Sequence, residues 1–247
     1  MVCEDGAVTW TRGAAMTPEH RNRFVAAGVA DDRLDEPWQR VSGPFPPWWD
    51  DLDNTLYALP GARLPDQVVQ HLVTFPFRRA LLAVGSPMDF LTSLLVGGDD
   101  ATVFLDARVV LTAGEVYCGA GSSVVLHGPV IATRSAVVDA RNGGAVIAGP
   151  DQLWAADVYV ATDDMHRLED ARTGQRLNPF GPTIRLGRHV WLCREAVVSG
   201  EVEIGDDVCV GLRAVVRNQS VPDQVVVAGS PAREVRKATT WTFDDLP

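Results

Sequence analysis

Between residues 163 and 178 the chain reads DDMHRLEDARTGQRLN, a stretch dense in groups that move protons. His166 stands in its middle. A histidine with its ordinary pKa of about 6.5 is a neutral base at physiological pH and can accept a proton from a hydroxyl as a bond forms. Asp164 and Asp170 lie close enough in sequence to orient the imidazole, holding one ring nitrogen protonated so that the other accepts. Asn178 offers an amide to a bound acceptor, although an Asn followed by Pro179 is also a turn signal. Without further context, His166 reads equally as an exposed loop histidine and the two aspartates as solvated carboxylates.

Such a loop does chemistry only if something rigid holds it, and the sequence that follows supplies a regular frame. From Leu186 an aliphatic or small residue returns at every sixth position: Leu186, Leu192, Val198, Ile204, Val210, Val216, with Ala228 in phase after Pro222. A second series runs two residues earlier through Ile184, Val190, Ala196, Val202, Val208 and Ala214. A helix would space its apolar residues by three and four, and a simple hairpin sheet would alternate without a longer repeat. A repeat of six with an apolar pair at alternate positions describes a short strand plus a turn, the pair pointing inward. Three units close one triangular coil of about eighteen residues, and stacked coils bury a continuous aliphatic column. The expected fold is mainly β: a left-handed parallel β-helix with an N-terminal mixed helical and loop extension. Gly187, Gly205 and Gly211 follow inward residues at the corners, where a missing Cβ relieves the backbone.

Weaker units precede the regular ones: Leu105, Leu111 and Tyr117; Leu126, Ala132 and Val138; Ile147 and Leu153. Their mutual offsets imply insertions between coils. The expected organisation is an N-terminal extension over 1–100, the β-helix over 101–235, and a C-terminal tail over 236–247. Residues 17–29 suit a short helix with Thr17 as N-cap and Pro18 in the first turn. Residues 65–83 suit a second helix interrupted at Pro76. The Pro- and Trp-rich stretch 36–54 suits an ordered loop, with Trp38, Trp48 and Trp49 as sugar-facing rings, a docking patch or core.

The chain carries 32 acidic against 22 basic side chains, a formal charge of −10, which disfavours nucleic acid and anionic membranes as partners. The most apolar window, 80–98, is broken by Gly85, Pro87 and Asp89 and reads as core rather than as a membrane span. The N-terminus has no basic region followed by an apolar run, and four scattered cysteines suit free thiols, so the expected location is cytoplasmic.

Residues 163–237 resemble the hexapeptide-repeat acyltransferases, the left-handed β-helix acetyltransferases that modify sugars, polysaccharides and some antibiotics. Three segments carry the likeness: DDMH followed by RLEDARTGQRLN; IRLGRHVWL, a repeat unit containing Trp191; and VPDQVVVAGSPAREVRK, similar to the segment that closes the last coil. The resemblance implies a homotrimer, acetyl-CoA as acyl donor, and active sites between adjacent subunits. It places His166 at the catalytic histidine, taking the proton of an acceptor hydroxyl and later giving one to the departing CoA thiolate. The acceptor is expected to be a hydroxyl of a sugar, glycan or glycoside. Trp191, between inward Val190 and Leu192, should face outward, toward the cleft or a neighbouring subunit. Gly211, Ala214 and Ala228 fall on the coenzyme groove, and Arg233, Arg236 and Lys237 are candidates for its phosphates.

The chain departs from the family pattern at Cys193 and Arg194 after the tryptophan, at Glu201, and at Gly211-Leu212-Arg213-Ala214, where small residues are usual. N-acetylation of an amino sugar or amine, and a noncatalytic trimeric scaffold, are the alternatives. Zinc, which the similar gamma-class carbonic anhydrases bind through closely spaced histidines, is not expected: His166 and His189 are 23 positions apart and no other histidine is near them.

Overall fold

The two six-residue series from Ile184 to Val216 form the interior of the molecule, with none of their twelve side chains more than 3% exposed. Burying each Val, Leu or Ile of such a column contributes about 1.5–3 kcal/mol, so the ladder is a substantial part of the core that runs from Phe24 to Ala232. The computed structural model describes residues 10–163 and 166–244. The chain is a left-handed parallel β-helix of about 7 turns. Its strands join a 14-stranded sheet that carries two successive sides of the coil and a 7-stranded sheet on the third.

Register explains where the repeat is clean and where it is not. Leu186 pairs with Ile204, Leu192 with Val210 and Val198 with Val216, each eighteen residues on. Earlier coils are longer: Leu126 pairs with Ala148, twenty-two residues on, and Val138 with Val160, also twenty-two on. Ala148 pairs with Leu186, thirty-eight on, because this coil carries the polar excursion. Extra corner residues shift the phase, so Tyr117, Ile147 and Leu153 face outward. The inward places go to Val116, Val146, Ala148 and Trp154. Gln152, also inward, is satisfied within the column. Its amide nitrogen donates to the Gly187 carbonyl at 2.8 Å, and its Oε1 accepts from Trp154 Nε1 at 3.2 Å.

Ala228 is likewise out of phase. Ser199 pairs with Arg217, eighteen residues on, but Val202 pairs with Gln219, seventeen on. One residue is missing from that corner, so Val225 and Val227 turn inward and Ala228 outward. At the glycine corners, the coils approach closely. A Cβ on Gly187 would lie 2.6 Å from the Gly205 carbonyl carbon, and one on Gly205 would lie 2.8 Å from the Asp223 nitrogen.

The parallel ladder reaches back past residue 101: Thr55–Ala58 pairs with Leu81–Val84, which pairs with Thr102–Leu105. The expected helix over 65–83 is confined to Asp66–Leu72; its C-terminal part is the fully buried strand Leu81–Val84. The first helix runs Pro18–Ala26, with the Thr17 hydroxyl accepting from His20 N at 3.2 Å. Thr11–Ala15 and Gln39–Ser42 add two antiparallel strands beyond Thr55–Ala58, occupying its free edge. Trp38 and Trp49 are core residues, 2% exposed, and Trp48 packs against that core. Trp38 borders a hollow of about 240 Å³ beside Met16, Leu34 and Pro37.

Candidate functional site

The polar excursion leaves the 14-stranded sheet after Tyr159–Ala161 and returns at Thr183–Leu186. It is a small hairpin. Leu177 N donates to the Leu168 carbonyl and Asp170 N to the Gln175 carbonyl, both at 2.8 Å. At the tip, Asp170 Oδ1 accepts from the backbone nitrogens of Arg172 (2.8 Å) and Thr173 (2.9 Å). These two bonds hold its carboxyl below the usual carboxylate range. Asp170 therefore caps the turn rather than orienting the imidazole.

Asn178 ties the hairpin to the solenoid. It is 7% exposed. Its Nδ2 donates to Asp163 Oδ1 and to the His166 carbonyl, both at 3.0 Å, and its Oδ1 accepts from Leu168 N at 2.8 Å. The Asn178 side chain is thus committed to the loop it holds. Asp163 in turn accepts from Asn142 Nδ2 at 2.6 Å and pairs with Arg176 at 3.3 Å. The Arg176 guanidinium lies 3.9 Å from the Phe180 ring centre. His166 is held by its backbone and projects an exposed side chain; among the described residues no hydrogen bond or ion pair reaches its ring. Asp164 lies outside the described residues.

Under the excursion lies a cleft of about 280 Å³. Its floor is the outer surface of successive coils: Tyr159 and Ala161, then Val197 and Ser199, then Arg217, aligned in register. Leu168, Leu177 and Asn178 wall it. His166 is not itself a lining residue; its carbonyl shares the Asn178 amide that is. The loop that carries the exposed His166 thus adjoins a mixed polar and apolar hollow through Asn178. The floor residues were legible in principle, because they alternate with the inward Val160, Val198 and Val216. Asn142 and Arg176 carried no such signal, since their partner Asp163 is brought to them only by the fold.

The remaining candidates sit elsewhere. Trp191 is half-buried on the 7-stranded sheet, with Trp241 of the tail at 6.0 Å between ring centres, and it takes no part in the cleft. His189 is engaged: its Nδ1 lies 2.7 Å from Asp207 Oδ1 and its ring stacks on Trp241 at 4.0 Å. Ala214 is fully buried and points into the column, so it cannot touch a coenzyme. Gly211 and Ala228 do share an outer corner, where a Cβ on Gly211 would stand 3.2 Å from Ala228 Cβ. Cys193 lies in the same register, its sulfur 3.7 Å from that of Cys209. The edge strand Arg233–Lys237 runs beside them. Ala228 pairs with Arg233 and Val226 with Arg236, Lys237 bridges Glu234 at 3.3 Å, and all three cations are exposed. Arg213 is drawn off to Glu195. Among the described residues no group of three or more His, Cys, Asp or Glu side chains is placed to hold a metal ion.

No family model matches the chain. Over 100 residues it is 33% identical to WbbJ of Escherichia coli strain K12, named for O-acetyl transfer in lipopolysaccharide biosynthesis, covering 37% of this chain and 50% of that protein. Over 82 residues it is 36% identical to a chloramphenicol acetyltransferase of Agrobacterium fabrum strain C58, covering 33% and 35%. The chain thus spans half or less of these curated relatives. In fold it matches the polysialic acid-specific acetyltransferase NeuO, with a TM-score of 0.58, 22% identity, and coverage of 69% of this chain and 78% of that one. It also matches the polysialic acid O-acetyltransferase OatWY, with a TM-score of 0.56, 20% identity, and coverage of 68% and 76%. The chain resembles the hexapeptide-repeat acyltransferases in sequence and in fold. No helix among the described residues is long and apolar enough to cross a membrane.

Proposed function

We propose that the protein is an O-acetyltransferase that moves acetyl from acetyl-CoA to a hydroxyl of a sugar, glycan or glycoside, acting in the cytoplasm as a homotrimer. The observation that carries this reading is the exposed His166, fixed through its carbonyl by Asn178 at the lip of a cleft, in a chain similar to two acetyltransferases. In the proposed reaction the acceptor oxygen attacks the thioester carbon while its proton passes to a ring nitrogen of His166. The tetrahedral intermediate then collapses, the carbon–sulfur bond breaks, and the CoA thiolate leaves with a proton from the imidazolium.

Holding thioester and hydroxyl together removes much of the barrier by itself, and proton transfer adds to that. In this reading the pantetheine arm passes the outer corner where Gly211 and Ala228 approach each other. Arg233, Arg236 and Lys237 on the neighbouring strand are candidates for the phosphates of the coenzyme. A neighbouring copy would close the open side of the cleft, where Leu168 and Leu177 are each more than half exposed.

CoA release with a panel of sugars and glycosides tests the activity, and thermal shift with acetyl-CoA tests the donor. A ligand bound only by the folded chain must raise apparent stability. Absence of both effects identifies a noncatalytic scaffold. Transfer to amino sugars alone, largely independent of His166, identifies an N-acetyltransferase, because an amine needs less help with its proton.

A further inference from the structure

Two more hollows open on the side of the sheet that floors the cleft, nearer the N-terminus. One, of about 320 Å³, lies among Phe75, Leu95 and Tyr117. The other, of about 480 Å³, lies among Tyr117, Arg141, Asn142 and Phe180. They share Gly97 and Tyr117. The second is separated from the excursion cleft by one contact, Asn142, whose amide donates to Asp163, itself a wall of that cleft. Register sets the direction, because Leu95, Tyr117, Asp139, Ala161 and Ser199 are successive partners up the solenoid. Four steps at the strand spacing of about 4.8 Å make a track of roughly 19 Å, longer than any single sugar ring.

The track has a built surface. Tyr117 lies under the Arg141 guanidinium, 3.9 Å from its ring centre. A Cβ on Gly97 would stand 1.9 Å from the Tyr117 hydroxyl, so only glycine admits the phenol there. Phe75, at the far end, and Phe180, beside the second hollow, are 72% and 68% exposed. Aromatic faces carry negative charge density and attract the C–H faces of pyranose rings, while the Tyr117 hydroxyl and the Asn142 amide offer hydrogen bonds to ring hydroxyls. The cations bordering the track are already matched, Arg141 to Asp139 at 2.7 Å and Arg176 to Asp163 at 3.3 Å. Arg217, in the excursion cleft, has a partner of its own. Among the described residues, Arg141 and Arg176 are thus each held by a carboxylate, which disfavours a polyanion on the track.

We propose that these hollows form one acceptor track for a neutral oligosaccharide, holding units that flank the sugar acetylated beside His166. This rests on the acetyl-transfer reading and deepens it: the acceptor is a chain, and an uncharged one. The test is transfer from acetyl-CoA by the full chain to maltose and chitin oligomers from monomer to hexamer, with oligosialic acids of the same lengths alongside. The expected result is a kcat/KM that rises about tenfold with length in a neutral series, and a rise that Phe75→Ala removes for the longest acceptors. Equal transfer to monomers and hexamers overturns the track and leaves the activity standing. A preference for the sialic series overturns the neutral occupant.

Ligand-observed NMR on the His166→Ala chain, with the same neutral oligomers, separates binding from turnover. Length-dependent binding that Phe75→Ala weakens supports the track even where no acetyl transfer is found. Absence of binding by every neutral oligomer, or binding indifferent to Phe75→Ala and Phe180→Ala, overturns it.

Discussion

The excursion over 163–182 and the tail over 238–244 are both polar segments laid against the outside of the same aliphatic column, and each is associated with a histidine. Against the tail, His189 is used up: Asp207 takes its Nδ1, Trp241 covers one face, and the Trp241 indole nitrogen donates to the His189 carbonyl at 2.8 Å. In the excursion only the backbone of His166 is held, through Asn178, and its ring faces solvent. One segment spends its polar groups on closing a surface. The other spends them on its own turn and leaves an imidazole available.

The largest effect that would break this comparison is on catalysis. His166→Ala should lower turnover by about 10²–10⁴-fold, the usual contribution of a positioned general base. The melting temperature should barely move, since an exposed side chain without a partner among the described residues stabilises little. His189→Ala should do the reverse, lowering the melting temperature while CoA release persists. Paired CoA-release and thermal-melt measurements on the two variants read both halves. Loss of turnover in His189→Ala at unchanged stability would put the base on the wrong segment.

Asn178 comes next. Asn178→Ala leaves Leu168 N without its acceptor and removes both donations to Asp163 and the His166 carbonyl. A lost buried partner costs about 1–3 kcal/mol. That cost should fall on the hairpin alone, as faster amide exchange at Leu168 and Leu177 with protection of the column unchanged. Turnover should fall with it, because the loop carrying His166 loses its anchor. Uniformly faster exchange would show that the excursion is part of the global fold.

What could be read from the sequence follows the same division. Between Leu186 and Val216 the coil length is constant, so spacing alone located every inward side chain. At Tyr117, Ile147 and Leu153 the coils are longer by several corner residues, and a reading by sixes fell on the wrong face. At Ala228 one missing residue was enough to do the same. The motif around His166 singled that residue out, and its ring is exposed, but what Asp170 and Asn178 bond could not be read from the sequence. Both are short polar side chains that bond their own loop, and only the folded hairpin shows that the Asp170 carboxylate is taken by Arg172 and Thr173. The Pro- and Trp-rich segment failed for a different reason: nothing local distinguishes a tryptophan that meets a ligand from one that fills a core.

The tail provides a smaller effect. Trp241→Ala removes the stack on His189 and the contacts with Trp191 and Phe243. Aromatic pairs contribute about 0.5–1.5 kcal/mol beyond the area they bury, so a modest drop in melting temperature is expected with turnover kept. A collapse of turnover at this substitution would mean that the tail, too, reaches the site.

The smallest effect is on pH dependence and isolates the His189 contact itself. Asp207 is held below the usual carboxylate range, first by its hydrogen bond with His189 and then by burial-opposed help from the Thr240 hydroxyl. A depressed folded-state pKa means that the unfolded chain binds the proton more readily, so the contribution is complete above the unfolded value of about 3.9 and is lost as pH falls through the folded value. Asp207→Asn should therefore lower the melting temperature at neutral pH, by a deficit that begins to shrink below about pH 4 and disappears only once the folded carboxylate is itself protonated. The same substitution should leave the pH profile of acetyl transfer unshifted, because the carboxylate serves a histidine that the reaction does not use. A shift in that profile would tie the two histidines together and remove the distinction between the segments that carry them.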